Sequence, residues 1–244
     1  AENFEKICVN AADDVDLTVF SIALYRAVRN GKYFIFRSAA GLVKVMGGIS
    51  DRALLTRTEM IRKESGKGGL VVVGSHTEKT TEQLSELLKL KTAVPIAFDS
   101  DKVLEGEEAF AAEIRRCVKE EEQAILEVKT AVCYTRRKLL SFRGDTKEEA
   151  LLRSLKISEG VQGLVSGLSV PPAFLIAKGG ITSSDIGTKA LKVRRAEVMG
   201  QILPGIPVWK TGPESRFPEI PYVIFPGNVG SETDLRRAVE ILEA

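Results

Sequence analysis

Three short stretches of this sequence share one plan: an apolar run, glycine, a hydroxyl residue with an acid three positions on, then a helical pattern. They are Gly74 to Glu78, Gly179 to Asp185 and Gly227 to Asp234. A chain that leaves a strand through glycine and enters a helix presents free backbone N–H groups at the positive end of that helix. Phosphate is the usual guest there. The spacings Thr182-x-x-Asp185, Ser75-x-x-Glu78 and Ser231-x-x-Asp234 also suit a helix cap, so capping alone accounts for any one loop. Two of the loops carry paired glycines that capping does not need, and for the three together phosphate binding is the better reading. None fits G-x-x-x-x-G-K-[ST] or G-x-G-x-x-G, which disfavours the common nucleotide-binding families. His76, the one histidine, stands in the first loop as a hydrogen-bonding or ring-stacking residue. A histidine-built metal site is excluded, and no metal ligand is assigned. The basic run Arg136-Arg137-Lys138 either meets phosphate or is simply solvated.

These loops need strands and helices to position them. Leu70 to Val73 (LVVV) is apolar throughout, as expected of a strand with helices over both faces. Ala93 to Phe98, Ala131 to Tyr134, Phe174 to Ala177 and Tyr222 to Phe225 read as further strands. Helices are expected after Glu78, over Gly106 to Glu121 with Cys117 inward, over Thr146 to Leu168 with Leu151 and Leu155 on the buried stripe, and at the C-terminus. Pro204-Gly205 within Val193 to Trp209 predicts strand, turn, strand. Upstream, Glu5 to Val9, the helical Leu17 to Val28 and Tyr33 to Phe36 read as a β-α-β unit, with another helix over Ser38 to Met46. The polar, glycine-rich Asp51 to Gly69 marks a boundary. The expected fold is α/β, a mostly parallel sheet with helices on both faces, preceded by a β-α-β remnant of a second α/β domain. Residues 1–65 and 66–244 are the two parts.

Composition agrees with a globular chain: 44% hydrophobic and 28% charged. The net charge, 35 − 33 = +2, points to neither nucleic acid nor an anionic membrane as partner. No apolar run approaches the roughly 20 residues of a membrane span. The start AENFEKICVN does not read as a signal peptide, and Cys8, Cys117 and Cys133 lack C-x-x-C spacing. A reducing cytoplasm is the expected compartment.

Four ordered motifs, VVVGSHTEKTTEQL (71–84), FLIAKGGITSSD (174–185), GQILPGIPVW (200–209) and IPYVIFPGNVG (220–230), resemble the four-carbon acid sugar kinase family. Its members phosphorylate acid sugars such as threonate and erythronate with ATP. The match runs from about Gly69 to the C-terminus and resembles the family's C-terminal nucleotide-binding domain. Residues 8–17 and 33–49 look like the end of its N-terminal sugar-binding domain. The resemblance implies nucleotide contacts at Ser75, Gly179, Gly180, Thr182, Ser183, Gly227, Asn228 and Gly230, with magnesium arriving with ATP or ADP. It places Asp16 and Arg37 on the substrate side, where an arginine can grip a carboxylate with two N–H groups. A surface salt bridge explains Arg37 equally well.

Departures from the family pattern carry as much weight. The acidic Asp-Asp-x-Thr-Gly loop that opens the sugar-binding domain is absent, and a full member is much longer than 244 residues. Ile181 replaces an acid common within GG-x-TS, and Phe225-Pro226 stands where members often have Lys-Ser. No catalytic base is assignable. The expectation is the nucleotide-binding portion of such a kinase, inactive alone. The alternatives are a non-catalytic nucleotide- or phosphate-binding or interaction module, and a site for another phosphorylated ligand such as a sugar phosphate. A homo-oligomer stays open.

Overall fold

The computed structural model describes residues 5–61, 65–137, 140, 142 and 144–244. The chain divides into two compact units, Ala1–Arg52 and Ala53–Ala244.

The first unit is helical. Helix α1 (Asp14–Arg29) starts because the Asp13 carboxylate accepts the N–H groups of Val15 and Asp16, and Asp14 and Asp16 oppose Arg26 and Arg29 along its dipole. Helix α2 (Ala40–Met46) packs against it. The Tyr25 hydroxyl donates to the Met46 carbonyl at 2.6 Å, and Lys44 pairs with Asp14 and Asp51. The expected β-α-β unit is corrected here: the helix forms, but Glu5 to Val9 and Tyr33 to Phe36 are not strands. A strand needs a neighbouring backbone to satisfy its N–H and C=O groups, and no described residue of this unit supplies one. Tyr33 and Ile35 remain 96% and 90% exposed.

The second unit is a seven-stranded sheet, in the order β2-β3-β1-β4-β7-β6-β5. Its strands are β1 (Leu70–Val73), β2 (Ala93–Phe98), β3 (Thr130–Thr135), β4 (Leu175–Lys178), β5 (Ala196–Leu203), β6 (Ile206–Thr211) and β7 (Pro221–Phe225). The first four strands and β7 run parallel, while β5 and β6 are antiparallel additions joined at Pro204-Gly205. Along β1 the side chains alternate: Val71 and Val73 enter one core, Leu70 and Val72 the other. Helices α3 (Arg57–Met60), α4 (Glu78–Leu87) and α8 (Asp234–Glu243) contribute to the first core, through Met60, Leu84, Leu87, Leu235 and Val239. Helices α5 (Glu107–Leu126) and α6 (Lys147–Ser166) contribute Cys117, Ile125, Leu164 and Val165 to the second. Burial on both faces explains the unbroken apolar run of β1.

Leu55, Met60 and Ile61 belong to the first core, consistent with the compact division at Arg52/Ala53. On α6 the buried stripe is Val161, Leu164 and Val165, continued by Leu168 beyond its end, whereas Leu151 and Leu155 face solvent. Both outer strands are shielded. In β2, exposed Pro95 has no N–H to offer, and the Ala97 carbonyl accepts from Arg116 at 2.7 Å. In β5 the register shifts twice, and the Gln201 carbonyl accepts the Leu55 N–H at 2.8 Å.

One buried group is costly. Glu121 on α5 is 0% exposed, and neither carboxyl oxygen has a hydrogen-bond partner among the described residues. Burial drives its pKa well above the carboxylate range, against a smaller opposite pull from the Cys133 thiol. The folded chain therefore holds a proton that the unfolded chain releases above its ordinary value of 4.5. The native state is most favoured below that value and loses stability as pH rises toward the folded pKa. Replacing Glu121 by methionine is expected to stabilise the fold by about 2 kcal/mol at pH 7.5, with the gain shrinking toward pH 5. Urea unfolding across that range checks it, and a gain independent of pH would refute the assignment.

Candidate functional site

Strands β1, β4 and β7 are neighbours in the sheet, so the loops that follow Val73, Lys178 and Phe225 meet at its carboxyl edge, where α/β folds bind ligands. They pack closely. A Cβ on Gly74 would lie 2.4 Å from the Thr182 hydroxyl oxygen, and one on Gly179, whose φ is +117°, would lie 3.3 Å from Ser75 Cβ. Only glycine lets the first two loops touch in this way. Above them opens a cavity of about 350 Å³. One wall is Gly74, Ser75, Gly179, Gly180, Thr182 and Gly227; the facing wall is Ser154, Ile157, Ser158 and Val161 of α6. His76, Ser100 and Thr135 reach it from the side.

Of the residues singled out in the sequence, Ser75, Gly179, Gly180, Thr182 and Gly227 thus share one cavity. Ser183 does not join them: its buried hydroxyl donates to the carbonyls of Ala177 and Gly179. Asn228 offers its carbonyl to Lys79 at 3.4 Å, and Gly230 packs against Asp234 and Gln83. Asp16 and Arg37 lie in the first unit, where the Asp16 carboxylate accepts the Ala12 N–H at 2.8 Å and Arg37 is exposed.

The capping spacings turn out differently. Thr77, not Ser75, caps α4 by accepting the Thr80 N–H. Helix α7 (Gly180–Asp185) begins at Gly180 because Gly179 takes the left-handed turn, which puts Thr182 inside the helix rather than at its cap. Asp185 instead binds Ser158, Gln162 and Lys189. In the third loop only the acid arm survives, with the Ser231 N–H donating to Asp234 at 2.8 Å. Helix capping therefore does not explain Ser75 or Thr182, both of which line the cavity.

The sequence model of the nucleotide-binding C-terminal domain matches residues 70–235, which hold all three loops up to Leu235. The chain belongs to the nucleotide-binding C-terminal domain family. No protein of curated function matches the sequence significantly. A solved Salmonella typhimurium LT2 protein, provisionally called a tRNA synthase, is 16% identical with a TM-score of 0.64, covering 94% of this chain and 51% of its own. A Haemophilus influenzae protein of the DUF1537 family is 18% identical with a TM-score of 0.59, covering 97% and 53%. A Bordetella bronchiseptica DUF1537 protein, solved with bound citrate as a domain-swapped dimer, is 19% identical with a TM-score of 0.57, covering 96% and 52%. These likenesses establish the shared fold, and this chain spans about half the length of each.

Two cations of this nucleotide-binding domain lie behind the wall: Lys178, which the sequence did not single out, and Arg137, which it left open between meeting phosphate and being solvated. Lys178 ends an apolar strand yet is fully buried: its ammonium donates to the carbonyls of Pro226 (2.6 Å) and Gly227 (3.1 Å), and lies over the Phe225 ring at 4.6 Å. Burial, helped by the nearby Lys79, pushes its pKa down to about 8. So a lysine from the neighbouring strand lies beside Phe225-Pro226. Arg137 turns inward to donate to the carbonyls of Ser75 (2.7 Å) and Thr135 (2.8 Å) and to the Thr135 hydroxyl (2.9 Å). Its neighbour Arg136 pairs with Asp99 and Asp101 in an ordinary surface bridge, while Lys138 lies outside the described residues. Burial and the Arg137 charge hold the pKa of His76 down, and its ring contacts the Thr135 hydroxyl at 3.4 Å. This neutral imidazole fits the hydrogen-bonding role read for it. Among the described residues no Asp or Glu lines the cavity, so the described wall offers magnesium hydroxyl oxygens and no carboxylate.

Proposed function

We propose that this chain is the nucleotide-binding portion of an ATP-dependent kinase of four-carbon acid sugars of the threonate and erythronate type, working in the cytoplasm and inactive alone. The observation that carries the reading is the meeting of three glycine loops from adjacent parallel strands around one cavity, in a chain of the nucleotide-binding family. The backbone of Gly179, Gly180 and Gly227 and the hydroxyls of Ser75 and Thr182 would hold the phosphates. Ile157, Val161 and Ile181 give the remaining wall an apolar surface against which a base can lie.

Phosphoryl transfer is mostly positioning and charge neutralisation. In this reading the chain fixes the donor, and Asp16 and Arg37 stand on the acceptor side, with the rest of the acid-sugar site contributed by sequence outside this chain. Magnesium would travel with the nucleotide, held by its phosphates and by water rather than by protein carboxylates.

Calorimetric titration with ATP and ADP is the test. Saturable one-site binding is expected, with no ATP turnover when threonate or erythronate is added. Silence toward both nucleotides at millimolar concentration, with a sugar phosphate binding instead, would defeat the nucleotide reading. A second reading, a non-catalytic nucleotide module, draws support from the lack of a carboxylate among the described residues of the cavity wall. Acid-sugar phosphorylation by a longer polypeptide containing this chain would exclude it.

A further inference from the structure

We infer that the cavity neutralises its ligand's phosphates with two protein cations, the partly buried Arg137 and the fully buried Lys178, so that nucleotide binding does not need a divalent metal ion. The inference rests on the nucleotide reading of the same site.

Buried cations are normally matched by carboxylates, because an uncompensated charge out of water is expensive. Here the buried Lys178 and the partly buried Arg137 stand behind one wall without such a match among the described residues. Lys178 sits under the Gly227 loop and Arg137 under the Ser75 loop, and each donates only to carbonyl or hydroxyl oxygens among the described residues. Lys79 adds a third positive charge at the Asn228 carbonyl. Asp185 pairs with Lys189, Asp234 with Arg237, and Asp99 and Asp101 with Arg136. Carbonyl dipoles solvate these cations but cancel no charge, so the wall keeps a net positive field. A nucleoside diphosphate supplies the missing negative charge directly, which is the task a bound metal ion usually performs.

The groups facing Lys178 are Lys79 from α4, the Phe225 ring from β7 and the two carbonyls; those facing His76 are Arg137 and Thr135. None is negative, so an entering anion raises the proton affinity of both bases. Binding should therefore take up protons near pH 8.

The experiment is calorimetric titration of the chain with ADP, in EDTA and in excess magnesium, in buffers of different ionisation enthalpy. Affinity in EDTA is expected within about threefold of that in magnesium, with about half a proton taken up per ADP at pH 8. Lys178→Met should weaken binding about tenfold and abolish most of the uptake. Lys178→Arg should restore most of the affinity but not the uptake, because arginine does not titrate there. Binding that weakens tenfold or more in EDTA overturns the inference and leaves the nucleotide reading intact. No binding in either medium by the folded chain overturns both. Should Lys178→Met fail to fold, Lys178→Arg decides: proton uptake undiminished in that variant means Lys178 is not the responding group and sinks the inference.

Discussion

Gly180→Asp is expected to weaken ADP binding at least about a hundredfold without lowering the melting temperature by more than a degree or two. The contrast follows from where the new side chain goes. A Cβ at Gly180 meets no atom within 4 Å, and the residue lines the cavity. The substitution therefore adds a carboxylate to the ligand's space while disturbing no packing. Two like charges about 4 Å apart repel by about 4 kcal/mol at an effective dielectric near 20, more than the roughly 2.7 kcal/mol that a hundredfold loss requires. Gly180→Ala, which adds bulk but no charge, should lose far less. Calorimetry with both variants, alongside thermal melts, makes the comparison. Unchanged ADP affinity in Gly180→Asp would mean that the phosphates do not lie against this wall.

Gly68→Ala is expected to cost about 3 kcal/mol or more and to abolish cooperative unfolding at moderate temperature. A Cβ there would fall 1.7 Å from the Lys129 carbonyl oxygen and within 2.7 Å of that residue's backbone nitrogen. The obstacle is main chain, not a side chain that can swing away. Nor can the segment retreat, because the Gly68 N–H donates to Ile125 at 2.8 Å and its carbonyl accepts from Ala173 at 2.9 Å. The next residue, Gly69, faces the Phe174 ring with as little room. These two glycines let the chain slip between the start of β3 and the loop before β4 as it enters β1. Urea unfolding monitored by circular dichroism tests it, and a native-like midpoint for Gly68→Ala would show that the two backbones can separate.

Much of the second unit was legible because its physics is local. LVVV and FLIA are unbroken apolar runs since both faces of those strands are buried, and Pro204-Gly205 announced the β5–β6 turn directly. What failed depended on partners the sequence does not display. Tyr33 to Phe36 has strand-like residues but no neighbouring ladder among the described residues, and Leu151 and Leu155 continue a helical stripe past the point where the sheet covers it. At the site, glycine spacing revealed the wall, but of the cations behind it Lys178 was hidden and Arg137 stayed open between meeting phosphate and being solvated. Lys178 looks like any lysine closing a strand until the register sets it beside Phe225, and Arg137 differs from Arg136 only in which way it turns. The capping pattern misled for a related reason. Gly179 starts the helix early, which no count of residues between Thr182 and Asp185 can disclose.

The shielded outer strands bear on how copies of this chain meet. A parallel sheet with a bare rim is a template on which a second molecule can add its own strand, and growth of that kind ends in insoluble fibres. Here Pro95 and the Arg116 guanidinium close one rim, while the two register shifts and the Leu55 segment close the other. Self-association by extension of this sheet is therefore opposed at both ends, and a second copy finds no bare rim on which to add a strand.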